Sequence, residues 1–217
     1  MIASLSFDAS AGKKVTINVI PETAKIYVDG QLVGNGSYKV EFKRDIDFFV
    51  IKVEDEGYIT RTFRLLKSNP KSTVLYQLPA DEAFEASAGA DEGMDLANRW
   101  FDVTCRKDMS EDIIWKRLMN VATNYFDNIE VRDKTAGWIK SSWRLTKFRF
   151  QTVRTRMEVR LNFTDENALS YRVRISVQIK DNECRGRGDN CYKNYDRVLR
   201  TFEPLIQELQ TSVGSGE

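Results

Sequence analysis

Between Lys14 and Leu78 apolar and polar residues alternate over short runs, at 15–19, 25–29, 38–42, 47–53, 58–65 and 73–77. A period of two is the signature of half-buried strands. Ile26 and Val28 share one face of such a run, and Lys25, Tyr27 and Asp29 the other. Asp29-Gly30 then supplies a two-residue hairpin signal, because glycine accepts positive φ and aspartate tolerates it. Gly34-Asn35-Gly36 and Glu56-Gly57 punctuate the remaining runs. Short strands spaced in this way predict an all-β sandwich.

After residue 98 the rhythm changes. Residues 100–106 alternate like a strand, with Phe101, Val103 and Cys105 on the apolar side, and Ser110 is placed to cap a helix. Ile114, Trp115, Leu118, Met119, Ala122 and Phe126 recur at helical spacing and form one apolar stripe. Strands are predicted at 128–132, 136–144, 148–163 and 169–180. In the third, Val153, Thr155, Met157, Val159, Leu161 and Phe163 oppose Arg154, Arg156, Glu158, Arg160 and Asn162; in the fourth, Tyr171, Val173, Ile175, Val177 and Ile179 oppose Arg172, Arg174, Ser176, Gln178 and Lys180. Such alternation predicts an antiparallel sheet with one covered and one wet face. A last helix is expected over 194–212, kinked by Pro204 inside it. Residues 79–98, rich in Ala, Gly, Glu and Asp, read as an acidic linker, extended or part helical.

The stretch Pro21-Glu22-Thr23-Ala24-Lys25-Ile26-Tyr27-Val28-Asp29-Gly30-Gln31-Leu32-Val33-Gly34, with Glu56-Gly57-Tyr58 before a final strand, resembles the PEGA family of small β-sandwich modules common in bacterial envelope and surface proteins. The pattern departs at Gly34-Asn35-Gly36-Ser37, where family members often carry a threonine-proline pair. Gly137-Trp138-Ile139-Lys140-Ser141-Ser142-Trp143, followed by the arginine-rich strand, is similar to helix-grip domains of bacterial envelope lipoproteins. The expected fold class is two domains: a PEGA-like all-β sandwich (1–78), the linker (79–98), and an α+β helix-grip-like domain (99–217) in which a long C-terminal helix packs on one face of an antiparallel sheet. The resemblances imply an extracytoplasmic protein of the periplasm or outer membrane surface. Met1-Ile2-Ala3 lacks a leader pattern, so a trimmed targeting segment is expected, with membrane association only through a lipid anchor.

Composition then narrows the chemistry. Residues 1–98 carry 11 Lys+Arg against 15 Asp+Glu, whereas 99–200 carry 22 against 14. The basic half favours an anionic partner, or is an ordinary solvated face. There is no histidine, which removes histidine-dependent catalysis and metal sites; no phosphate loop or zinc spacing is present. Glu54-Asp55-Glu56 and Asp165-Glu166 read as solvated turn acids. No enzyme, catalytic residue, metal or cofactor is expected. Cys184 and Cys191 flank a polar loop and are candidates for a disulfide, leaving Cys105 as a small buried residue. Arg187-Gly188-Asp189 inside that loop matches an integrin-recognition tripeptide, but reads better as connection.

The candidate binding surface is Arg154, Arg156, Arg160, Arg172 and Arg174, with Trp138. On paired strands the guanidiniums would lie within reach of one another and could hold carboxylate or phosphate bidentately; equally, they would cover an outer sheet face. Trp138 and Trp143 have opposite parity, so either one of them faces water and borders a ligand cleft or the pair serves core packing and edge cover. Nucleic acid is disfavoured because the aromatics of the arginine strands share the apolar face. The expected function is non-enzymatic binding or scaffolding at the envelope, with an envelope protein or cell-surface glycan as partner. The alternative is a small-ligand carrier or carboxylate-based hydrolase with a pocket between sheet and C-terminal helix, lined by Met157, Ile175 and Phe202.

Overall fold

The computed structural model describes residues 12–162, 169–186 and 188–214. Met1-Ile2-Ala3, Phe163, Asp165-Glu166 and Arg187 lie outside the described residues. The protein is mostly β, with several sheets and a C-terminal helix, and divides into two compact units at Asp81/Glu82. No helix among the described residues is long and apolar enough to cross a membrane.

The first unit holds strands β1 (Lys13–Ile20), β2 (Lys25–Val28), β3 (Gln31–Asn35), β4 (Ser37–Phe42), β5 (Phe48–Glu54), β6 (Arg61–Leu66) and β7 (Thr73–Gln77). They form a three-stranded sheet, β4-β1-β7, and a four-stranded sheet, β3-β2-β5-β6. Val15, Ile17, Val40 and Phe42 from the first meet Ile26, Ile51, Val53 and Leu65 from the second in one core. The β2–β3 turn has positive φ at both Asp29 (49°) and Gly30 (84°), the backbone that a tight right-twisting hairpin requires. Gly36, at φ 65°, carries the chain from β3 in one sheet to β4 in the other. Its N–H donates to the Ala24 carbonyl and its own carbonyl accepts from Val19.

The second unit contains α1 (Glu82–Glu85), β8 (Ser87–Ala88), β9 (Trp100–Thr104), α2 (Glu111–Tyr125), β10 (Ile129–Asp133), β11 (Trp138–Ser141), β12 (Arg144–Lys147), β13 (Gln151–Asn162), β14 (Ser170–Asp181), β15 (Lys193–Asn194), β16 (Val198–Leu199) and α3 (Glu203–Val213). The long hairpin β13–β14 is its spine. β10, β11 and β12 extend the sheet beyond β13, and β9 and β15 pair beyond β14. Ser110 caps α2 as expected, accepting a bond from Ile113 N–H at 3.4 Å. Ile114 and Leu118 of α2, Leu205 and Leu209 of α3, and Val153, Met157, Val173 and Ile175 of the sheet are all buried in one cluster. Met157, Ile175 and Phe202, expected to line a ligand pocket in the alternative reading, are packed into that cluster with at most 1% exposure.

Two expectations change here. Residues 79–98 do not form an extended linker. Pro79–Asp81 belong to the first unit, where the Pro79 carbonyl accepts from Ile59 and Asp81 donates to Gly57. Residues 82–98 are built into the second, with β8 paired to β16 and Asn98 bonded to both backbone groups of Val177. The segment is acidic because its partners are distant in sequence: buried Arg197 bonds Ser87, Asp91 and Glu92, and Arg200 pairs with Glu92. The C-terminal helix begins at Glu203, not 194; residues 193–194 and 198–199 are strand. Pro204 therefore sits in the first helical turn, where a missing N–H costs no intrahelical bond, and it kinks nothing.

Candidate functional site

Arg154, Arg156, Glu158 and Arg160 leave one face of β13, and Arg172, Arg174, Ser176 and Gln178 leave the same face of β14. The register places Arg160 opposite Arg172, Glu158 opposite Arg174, Arg156 opposite Ser176 and Arg154 opposite Gln178. The five predicted arginines thus lie on one surface, and Trp138 joins them over Arg160, 4.8 Å from ring centroid to guanidinium carbon.

Three of the five are already paired with carboxylates, two of them sharing one. Glu158 is almost fully buried; Arg160 Nε donates to its Oε1 at 2.8 Å and Arg174 Nη2 to its Oε2 at 2.9 Å. Burial alone would push this carboxyl up, but the two guanidiniums outweigh it and hold Glu158 below the usual glutamate range. Arg154, whose side chain is only 10% exposed, gives Nε and Nη2 to Gln178 Oε1 (2.9 and 2.7 Å) and Nη1 to Asp189 Oδ1 (2.6 Å). Within the described residues Arg156 and Arg172 form no ion pair.

Aromatic rings lie between these cations. Trp143 stacks under both Arg154 and Arg156, each at 4.3 Å; Trp100 stacks under Arg172 (5.0 Å) and Arg174 (4.7 Å). Tyr192 closes over Arg154 at 3.8 Å and lies near Lys180. Such contacts fix guanidinium planes and strengthen as water is removed. Trp138 Nε1, Arg156 Nε and Arg174 Nε are buried donors with no hydrogen-bond partner among the described residues.

The opposite parity of Trp138 and Trp143 does not survive. Lys140 faces Glu158 and Arg144 faces Thr155, so Ser141, Ser142 and Trp143 stand opposite only Met157 and Arg156. This bulge adds one residue between β11 and β12 and turns Trp143 to the arginine face with Trp138. Ser141, fully buried, fills the gap in the ladder, accepting from Met157 N–H at 2.9 Å and donating to the Ser142 carbonyl. Contrary to expectation, the arginine face does carry aromatics, supplied by neighbouring segments. Trp100 was open to sequence reasoning, since it has the parity opposite to Phe101 and Val103; Tyr192 and Asp189 carry no such signal.

Cys184 and Cys191 are disulfide-bonded, with Cα atoms 6.1 Å apart, and close the loop that bears Asp189. Cys105 is buried, and burial pushes its thiol up to about 11, which leaves it protonated and unreactive at neutral pH. Among the described residues no cluster of acids and cysteines could hold a metal ion. In the first unit, Glu54 is held below the ordinary glutamate range by its bonds to Lys52 and Tyr27. Compared with known proteins, the chain matches no family model and no curated protein.

Proposed function

We propose that the protein is a non-enzymatic binding or scaffolding component of a bacterial cell envelope, in which the arginine–tryptophan face of the second unit engages an acidic surface glycan. A PEGA-like first unit and a helix-grip-like second unit, the reading that the sequence motifs support, would place this face outside the cytoplasm.

The observation that carries the proposal is that Arg156 and Arg172, lacking carboxylate partners within the described residues, each lie over an indole, 4.3 and 5.0 Å from the ring centroid. By strand geometry their backbones stand roughly 14 Å apart, four residues along and one strand across. A small anion cannot bridge that span. An extended polyanion can, and its sugar faces can pack on the indole edges between charges. Arg, Trp and Tyr are also enriched at protein interfaces, so an acidic protein is the rival ligand. Base stacking on nucleic acid needs open ring faces, and here guanidiniums already stack on the indoles. The filled core around Met157 and Phe202 gives the carrier reading no comparable support.

Calorimetric titration of the whole chain with hexagalacturonate, against neutral dextran as control, tests this. Binding should fall at least tenfold in the Arg156→Ser/Arg172→Ser double variant and weaken with salt. Binding that ignores both substitutions, or a preference for single-stranded DNA or acidic protein over the glycan, overturns the reading.

A further inference from the structure

We propose that Arg154, Gln178, Trp143, Tyr192 and the adjacent Arg156 form a preformed subsite for one carboxylate of the ligand, and that Asp189 of the disulfide-closed loop is its built-in occupant, displaced on binding. This rests on the acidic-glycan reading, and it specifies which acid group is recognised and where.

The asymmetry of the Arg154–Asp189 pair carries the argument. The Arg154 side chain is 10% exposed while that of Asp189 is 78% exposed, so the cation is built into the protein and the anion is merely laid upon it. Removing Asp189 would not disorganise the cradle. Gln178 Oε1 still holds Nε and Nη2, and the rings of Trp143 and Tyr192 still lie against the guanidinium at 4.3 and 3.8 Å. Only Nη1 would lose its acceptor, and it would then point to solvent beside Arg156, which shares the Trp143 ring. A flat, oriented guanidinium with a second one next to it is what bidentate capture of a planar carboxylate requires.

Asp189 behaves as a tethered competitor. The Cys184–Cys191 bond joins residues seven apart and keeps the aspartate within reach of Arg154 after it leaves. Replacing one carboxylate by another changes little in charge or hydrogen bonding, so exchange is reversible and the loop lowers affinity without abolishing it. An ion pair with one strongly exposed partner is weak, so its removal should strengthen binding about two- to fivefold.

The test uses the whole chain, titrated with hexagalacturonate, comparing wild type with Asp189→Asn and with the Cys184→Ser/Cys191→Ser pair. Both variants should bind two- to fivefold tighter than wild type, the first by discharging the occupant and the second by lowering its local concentration. A parallel arm follows the Arg154 Nε–H resonance during titration with acetate, which needs no glycan. It should shift and saturate at lower acetate in Asp189→Asn than in wild type. If wild type binds the glycan through Arg156 and Arg172 but Asp189→Asn binds equally or more weakly, the occupant role is refuted and the glycan reading stands. If the glycan is ignored by every variant while acetate still finds Arg154 more readily in Asp189→Asn, the subsite stands and the glycan reading falls. Failure in both arms removes both.

Discussion

Replacing Ser141 by Ala should destabilise the second unit by about 2 kcal/mol, although the side chain touches no ligand and only one oxygen is lost. Ser141 is fully buried at the β11–β12 bulge, and its hydroxyl is the acceptor for Met157 N–H, in a residue that is itself fully buried. The ladder offers that amide no other partner there, because three residues stand opposite two. A buried donor left without an acceptor costs about 1–3 kcal/mol, and a neutral hydrogen bond contributes about 1 kcal/mol net. The second bond, to the Ser142 carbonyl, is partly replaceable by water because Ser142 is only half-buried. All four tryptophans, at 100, 115, 138 and 143, belong to the second unit, so urea unfolding followed by indole fluorescence reports that unit alone. With a urea slope of about 2 kcal/mol/M, the midpoint should fall by about 1 M at unchanged slope. Ser142→Ala is the control, since its hydroxyl bonds the Asn128 carbonyl at the surface, and it should change stability by no more than about 0.5 kcal/mol. Equal shifts in the two variants, or a Ser141→Ala midpoint within about 0.2 M of wild type, would refute the account of the bulge.

Glu158→Gln should cost about 1–3 kcal/mol at neutral pH, less than the 3–5 typical of a fully buried pair, because Arg160 and Arg174 can turn to water. The folded carboxyl titrates below its unfolded value, so its contribution is complete above the ordinary glutamate range and disappears as pH falls through the depressed folded value. Wild-type and Gln urea midpoints should differ most near pH 7 and converge as pH falls below the ordinary glutamate range; a constant offset down to acid pH would contradict the pairing. Gly36→Ala should lower the first unit's calorimetric transition by several degrees, since φ is +65° and the added methyl would overlap the Glu22 carbonyl, together costing roughly 2 kcal/mol. Pro204→Ala should move the fluorescence midpoint by less than about 1 kcal/mol equivalent; stabilisation near 3 kcal/mol would mean that the proline sits inside a helix after all.

Most of the longer strands, α2 and the second half of the expected C-terminal helix were legible because their cores are local patterns. Ile26 and Val28, or Val173, Ile175 and Val177, announce a buried face within five residues, and Ser110 announces a helix start through its own side chain. What failed was everything decided at long range. Glu92 reads as linker acid until Arg197 and Arg200 are brought beside it, more than a hundred positions later. The Ala and Ser residues of 83–88 read as linker, yet Ala83, Ser87 and Ala88 are buried; small side chains serve where strands and helices approach closely. Val198 and Leu199 fit the helical stripe that was expected to run from 194, but β8 offers them a strand partner, and tertiary pairing prevails over periodicity.

The same division explains the site. Period-two alternation was enough to place five arginines on one face, because every one of them lies on the uninterrupted hairpin β13–β14. It could not place Trp143, since one extra residue between β11 and β12 inverts parity beyond it, and nothing in Ser141-Ser142 distinguishes a bulge from a regular strand. Net charge misled in a different way. The basic half left open an anionic partner or an ordinary solvated face, whereas Glu158 and Asp189 already pair with Arg154, Arg160 and Arg174, so that of the five arginines only Arg156 and Arg172 form no ion pair within the described residues. That arrangement is more discriminating than a continuous basic stripe. A stripe attracts any polyanion in proportion to its charge density, but two separated guanidiniums fixed against indoles reward a ligand whose acids recur at the matching distance. Shortening that ligand below the span between Arg156 and Arg172 should therefore reduce affinity abruptly, where a simple charge effect would reduce it gradually.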